Sequence, residues 1–148
     1  MIFFLYFSIK GWWDVEYDKK IENYINFMDY IRNNGYLADT NYSKFTITYK
    51  YEEGNMVYIA MESGRLGYHY IYIGTKDHKC SYTNGPALVK FDDNILQEWY
   101  YVDDELHRLD GPAHIIYRNK QISEEYYYIN GIKYDDEFKF LVARELHK

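Results

Sequence analysis

Hydrophobic positions along this chain change period twice, from helical near the start to alternating through the middle, and back to helical at the end. Ile21, Tyr24, Ile25, Met28 and Ile31 recur at helical spacing. They predict an amphipathic helix whose start Asp14 or Asp18 can cap and which Asn33-Asn34-Gly35 stops. Lys19, Lys20, Glu22, Asp29 and Arg32 are assigned to its wet face. From Phe45 to Tyr51, Met56 to Met61 and Tyr68 to Ile73 the runs are short, rich in β-branched and aromatic residues, and punctuated by Glu53-Gly54 and Ser63-Gly64, which predicts an antiparallel meander. Near the end, Phe138, Leu141, Val142 and Leu146 form the expected buried stripe of a second helix, with Asp135 as its cap and Asp136 and Glu137 favourable near the positive end of its dipole. The opening Ile2 to Ile9 reads as a buried strand rather than a signal peptide, since it lacks a basic n-region and a small-residue cleavage site.

The alternating middle repeats itself. Tyr70-Ile71-Tyr72-Ile73, Trp99-Tyr100-Tyr101-Val102 and Tyr126-Tyr127-Tyr128-Ile129 are three aromatic cassettes, and Gly85-Pro86-Ala87 recurs as Gly111-Pro112-Ala113. A shift of 26 superposes the Gly-Pro-Ala turns, a shift of 27 carries Glu98-Trp99 onto Glu125-Tyr126, and a backward shift of 29 places His69 under Glu98 and His78 under His107. A fixed period of this length marks a stacked supersecondary unit, here a strand, a tight turn, an aromatic strand and a connector. Glycine before proline sets the re-entry of each strand, so Gly111 and Pro112 belong to the structural motif together with His107 and Arg108. The expected fold is α+β, a mainly antiparallel sheet of about eight strands built from stacked hairpin repeats, with an N-proximal and a C-terminal helix. A single domain spans 1–148, divided into 1–67 (strand, helix and start of the meander), 68–134 (hairpin repeats) and 135–148 (capping helix).

Composition narrows the function classes. The chain of 148 residues holds 20 tyrosines, and tyrosine is a large, stiff, amphipathic side chain enriched at protein interfaces. The alternative is structural, because tyrosine also suits pleated half-buried surfaces and cross-strand pairs. Alternation is expected to put Trp99 and Tyr101 on one face and Tyr100 and Val102 on the other. Residues 1–89 carry nine Lys or Arg against ten Asp or Glu, and residues 90–148 carry eight against thirteen. That acidity argues against a nucleic-acid backbone as ligand and permits a basic partner. The candidate interface is Trp99, Tyr100, Tyr101, Tyr126, Tyr127 and Tyr128 with the acidic Asp103 and Asp104. No phosphate loop, nucleophile elbow or His-Glu-x-x-His helix is found, so no catalytic residue, cofactor or metal is assigned. His69, His78 and Cys80 make a weak metal set without a fourth ligand. Glu98 and Glu125 recur once per repeat, which reads as structural acceptors for connector backbone or for Arg108, as do His78 and His107. One cysteine, Cys80, fits a reducing compartment, and the cytoplasm is the expected location, with no membrane contact.

The run from Glu98 to Ala113 resembles a repeat with the consensus Glu-Trp-Tyr-x-Asn-Gly-x-Leu-His-Arg-x-Asp-Gly-Pro-Ala, found in tandem in giant-virus, phage and bacterial proteins and similar to variant MORN repeats. Asn130-Gly131-Ile132-Lys133-Tyr134 followed by Asp136-Glu137-Phe138 resembles the helix that ends such arrays. The resemblance covers residues 68 to 148 and departs from the pattern at Asp103-Asp104, where Asn-Gly is usual. It implies stacked hairpins in a twisted sheet acting as a scaffold or interaction surface. Ile, Asn, Lys and Tyr make up 57 residues against 21 for Ala, Pro, Arg and Gly, the bias of an AT-rich genome such as that of a phage, a large virus or a low-GC bacterium. The reading reached is a non-catalytic protein-binding module, one candidate use being inhibition of a host defence complex in the host cytoplasm. A small-ligand or nucleotide sponge is the alternative, a carboxylate-dependent hydrolase the third, and self-association as a homodimer stays open.

Overall fold

The computed structural model describes residues 15–41, 46–64 and 67–148. The strand expected at Ile2 to Ile9 and the cap expected at Asp14 lie outside the described residues. Helix α1 (Tyr17–Asn34) leads into β1 (Tyr36–Asn41), β2 (Thr46–Glu53), β3 (Met56–Ser63) and β4 (Tyr68–Thr75). There follow β5 (Leu88–Phe91), β6 (Ile95–Trp99), β7 (Tyr101–Val102), β8 (Glu105–Leu106), β9 (His114–Arg118), β10 (Gln121–Ile129), β11 (Ile132–Tyr134) and α2 (Glu137–Glu145). The fold is α+β. Among the described residues nine strands form one sheet in the order β1-β2-β3-β4-β5-β6-β9-β10-β11, with every pairing antiparallel, and β7 pairs with β8.

Register assigns the two faces. Directly paired residues share a face, so the line Tyr49, Ala60, Ile71, Val89, Glu98, Ile115, Glu125 runs across seven strands on the side that meets α1. Tyr24, Phe27, Met28 and Ile31 of α1 pack there against Tyr58, Ile71, Ile73, Val89, Phe91 and Leu96. Each large apolar side chain fully buried in this layer contributes about 1.5–3 kcal/mol.

Both helices differ from expectation in phase. In α1 the buried positions are Lys20, Asn23, Tyr24, Phe27, Met28 and Ile31, whereas Ile25 is 45% exposed. Lys20, placed by sequence on the wet side, is inside because a buried carboxylate from β6 draws it in. Glu16 occupies the N-cap without a side-chain hydrogen bond, and Asp18, proposed as a cap, lies inside the first turn instead. In α2 the cap is Asp136 rather than Asp135, its carboxylate accepting the Lys139 amide at 2.8 Å. One residue, Phe140, is buried, against Tyr127 at 4.8 Å, while Phe138, Val142 and Leu146 are 75%, 53% and 83% exposed. The helix lies at the end of the sheet against β10 and β11, and so narrow a support fully buries only Phe140, leaving Leu141, Ala143 and Arg144 half-buried.

Candidate binding face on the repeat sheet

The repeat is written in the backbone. Ala87 donates its amide to the Trp99 carbonyl at 2.9 Å, and Ala113 to that of Tyr126 at 2.8 Å. Ile73 donates to Ala87 and Tyr100 to Ala113, both at 2.7 Å. Asp104 donates to Cys80 at 2.9 Å and Gly131 to Leu106 at 2.8 Å. These bonds superpose with a shift of 27 in the hairpin strands and 26 in the connectors. The backward shift of 29 is thereby corrected: Ile71, not His69, lies under Glu98, and Ser81, not His78, lies under His107, since Ser81 donates to Ile73 as His107 donates to Tyr100. The first hairpin carries an extra residue in its turn, where His78 sits at φ 67°, and the third takes up one residue in a bulge between Ile122 and Glu124.

Equivalent residues of the three copies, Tyr72, Trp99 and Tyr126, fall in one line on the face away from α1, with Leu88 and His114 between them. The Trp99 and His114 rings stack at 4.7 Å and 14°, and His114 stacks on Tyr126 at 5.4 Å and 24°. All three are half-buried by one another. Gln97 fixes the His114 ring with a 3.3 Å hydrogen bond, and partial burial lowers the pKa of His114 against the opposing pull of Glu124. Tyr126 donates to Glu124 at 3.0 Å, and that bond raises its pKa. Lysines cap the rings: Lys133 lies 4.9 Å over Tyr126, and Lys90 sits 4.0 Å over Tyr68 and 5.6 Å over Tyr70.

The other sequence candidates lie elsewhere. The strand breaks after Trp99, so the expected alternation ends there. Tyr100 is buried with Ala113 and Ile115, beneath the Arg108 guanidinium at 4.0 Å; Tyr101 packs on the main core; Tyr128 packs beside Tyr100. Tyr127 faces Phe140 of α2. Asp103 and Asp104 form the tight β7–β8 turn at φ 49° and 66°, and the Asp104 carboxylate accepts the Cys80 amide at 2.6 Å. The acidic pair is therefore a turn device on the rim, and the ladder itself was extended by His114, Tyr72, Lys90 and Lys133, which sequence reading missed. The signal was present in the connector register, since a shift of 26 carries Leu88 onto His114.

The motif residues hold the connectors. His107 Nδ1 accepts the Asn130 amide at 3.0 Å, and Arg108 donates to the Pro112 carbonyl at 3.2 Å. Gly111 is not in the left-handed region, and a Cβ there would meet the Arg108 guanidinium at an ordinary contact distance of 3.4 Å, so neither a left-handed turn nor a close approach demands glycine here. Arg108 does not reach Glu98. That carboxylate, wholly buried, accepts from Lys20 at 3.0 Å through both oxygens and takes a short hydrogen bond from Tyr24, while Glu125 on β10 is exposed. Burial, then the charge of Glu98, holds the Tyr24 phenol well above its ordinary pKa. One carboxylate is sealed and the other wet, so the pair shares no cleft.

Among the described residues no group of three or more His, Cys, Asp or Glu is placed to hold a metal ion. His69 stacks on Phe91 at 5.0 Å, and burial together with Asp104 pushes the Cys80 thiol up to about 12. Beside Tyr72 a depression of about 470 Å³ is lined by Lys50, Glu52, Lys76 and His78 among others; Glu52 pairs with both lysines, at 3.3 and 3.9 Å. No helix among the described residues is long and apolar enough to cross a membrane.

Comparison of the chain with protein-family models, with curated proteins and with solved structures finds no match in any of the three.

Proposed function

We propose that this protein is a non-catalytic binding module and that its docking surface is the aromatic face away from α1. The observation that carries the reading is the stacked line Trp99–His114–Tyr126 continued by Tyr72, in which equivalent positions of successive repeats are all aromatic. A stacked row of rings on a rigid sheet is a preordered apolar surface that loses little entropy on binding. The partner in this reading is another protein, presenting aromatic or aliphatic side chains to the ladder and carboxylates to Lys90 and Lys133. The acidity that pointed to a basic partner sits mostly off this face, at Asp103, Asp104, Glu125 and the start of α2. The face itself carries Lys50, Lys90, Arg118 and Lys133 against Glu52 and Glu124. Use of this module by a phage or virus against a host defence complex, and membership of the MORN-like repeats, extend the same proposal.

The test is selection of a displayed random-peptide library on the intact protein, followed by binding to Trp99→Ser/Tyr126→Ser. Enriched peptides rich in aromatic and acidic residues, weakened at least about tenfold by the double substitution, support the reading. Peptides that bind the double variant equally well overturn it.

A further inference from the structure

Helix α2 turns its most apolar ridge to solvent. Phe138, Val142 and Leu146, at successive spacings of four, are 75%, 53% and 83% exposed, on the side opposite the buried Phe140. Large exposed hydrophobics spaced in this way mark a surface that has a mate. The sequence around that ridge is complementary to its own reverse. Counting outward from Val142 in both directions, Lys139 answers Glu145, Phe138 answers Leu146, Glu137 answers His147, and Asp136 answers Lys148. The side chains of Lys139 and Glu145 are 61% and 60% exposed, and Lys148 is 59% exposed. Their ion pairs within the chain, Lys139 to Asp135 at 3.9 Å, Arg144 to Glu145 at 3.7 Å and Lys148 to Glu145 at 3.1 Å, are surface pairs worth little on their own.

We infer that α2 is a self-association element, pairing antiparallel with α2 of a second copy across a two-fold axis through Val142. Such an interface is isologous, so every contact occurs twice. Phe138 of each copy packs on Leu146 of the other, Val142 meets its symmetry mate, and Lys139 faces Glu145 on both sides. Antiparallel alignment also sets the positive end of each helix dipole, with Asp136 and Glu137, against the negative end of the other, with Arg144 and Lys148. Residues at spacings of four form the ridge that interdigitates at a crossing of about 50°. A contact made by one nine-residue helix per copy falls short of the roughly 1,200 Å² of a standard interface, so the dimer dissociates on dilution. This surface is separate from the aromatic face, and its test does not depend on the binding reading.

Sedimentation equilibrium over a wide concentration range reads the association directly. The wild-type protein is expected to show a reversible monomer–dimer equilibrium. Val142→Glu, at an exposed site, is expected to remove the dimer while leaving the circular dichroism and melting curve in place. Lys139→Glu and Glu145→Lys should each weaken self-association about tenfold or more, and an equimolar mixture of the two should recover it, because each charge then faces its opposite across the axis. A protein that remains monomeric at all concentrations overturns the inference. So does a dimer that survives Val142→Glu, or one lost instead in Trp99→Ser/Tyr126→Ser.

Discussion

Glu98 is held by residues 78 and 74 positions away in sequence, and its environment decides what its loss would do. Lys20→Ala strands a carboxylate in the core and is expected to cost about 3–5 kcal/mol in urea unfolding. Lys20→Met with Glu98→Leu should recover most of that loss, and Glu125→Gln should change stability by less than about 0.5 kcal/mol. His114 gives a second residue-scale expectation. Its folded-state pKa is lowered below the ordinary 6.5, so the unfolded chain takes up this proton first as pH falls. The stability owed to the neutral ring is complete above about pH 6.5 and is lost as pH drops from there toward the lowered folded value. His114→Phe keeps a ring in the stack and removes the titration. The wild-type urea midpoint should therefore fall relative to that of the variant as pH drops from 7 to 5, and parallel curves would show that the ring is not shielded.

At the scale of elements, tight turns with two left-handed residues organise the hairpins: Asp103-Asp104, Asn119-Lys120 and Asn130-Gly131 each have both central φ values positive. Asp104 adds its bond to Cys80, which ties one repeat to the preceding one. Asp104→Ala removes that acceptor and puts alanine into a left-handed conformation. A loss of about 1–3 kcal/mol is expected, or a melting point lower by several degrees. Asp104→Asn, which tolerates the same φ and keeps an acceptor oxygen, should lose much less. The strands and the hairpin period were legible because alternation and turn residues are local signals. The phases of α1 and α2 were not, because which ridge of a helix is buried depends on the shape of the surface it lands on. Lys20 goes in where a carboxylate waits, and α2, seated against β10 and β11 at the end of the sheet, fully buries Phe140 alone.

For the whole molecule, support is uneven. The layer between α1 and strands β3 to β6 holds most of the fully buried side chains, among them Phe27, Ile31, Ile71, Ile73, Val89 and Leu96. Helix α2 is anchored by one buried residue. Hydrogen exchange should find the slowest amides in α1 and in the central strands, with α2 opening locally at much lower free energy. Equal protection of α2 in dilute solution would mean that it has more support than Phe140 supplies. The candidate face was half legible at this scale. Trp99 and Tyr126 recur in the sequence, but their stacking partner His114 lies on the intervening strand, and only strand order puts it between them.

Sequence by itself determined the α+β class, the hairpin repeat and the aromatic character of equivalent positions, since these rest on period, turn chemistry and composition, each read within a few neighbouring residues. Tertiary structure alone decided which rings form the ladder and which are buried, that Glu98 is sealed by Lys20 and Tyr24, and that α2 shows its apolar ridge to water. Those outcomes depend on contacts between residues far apart in the chain, where burial is set by the element that happens to lie opposite.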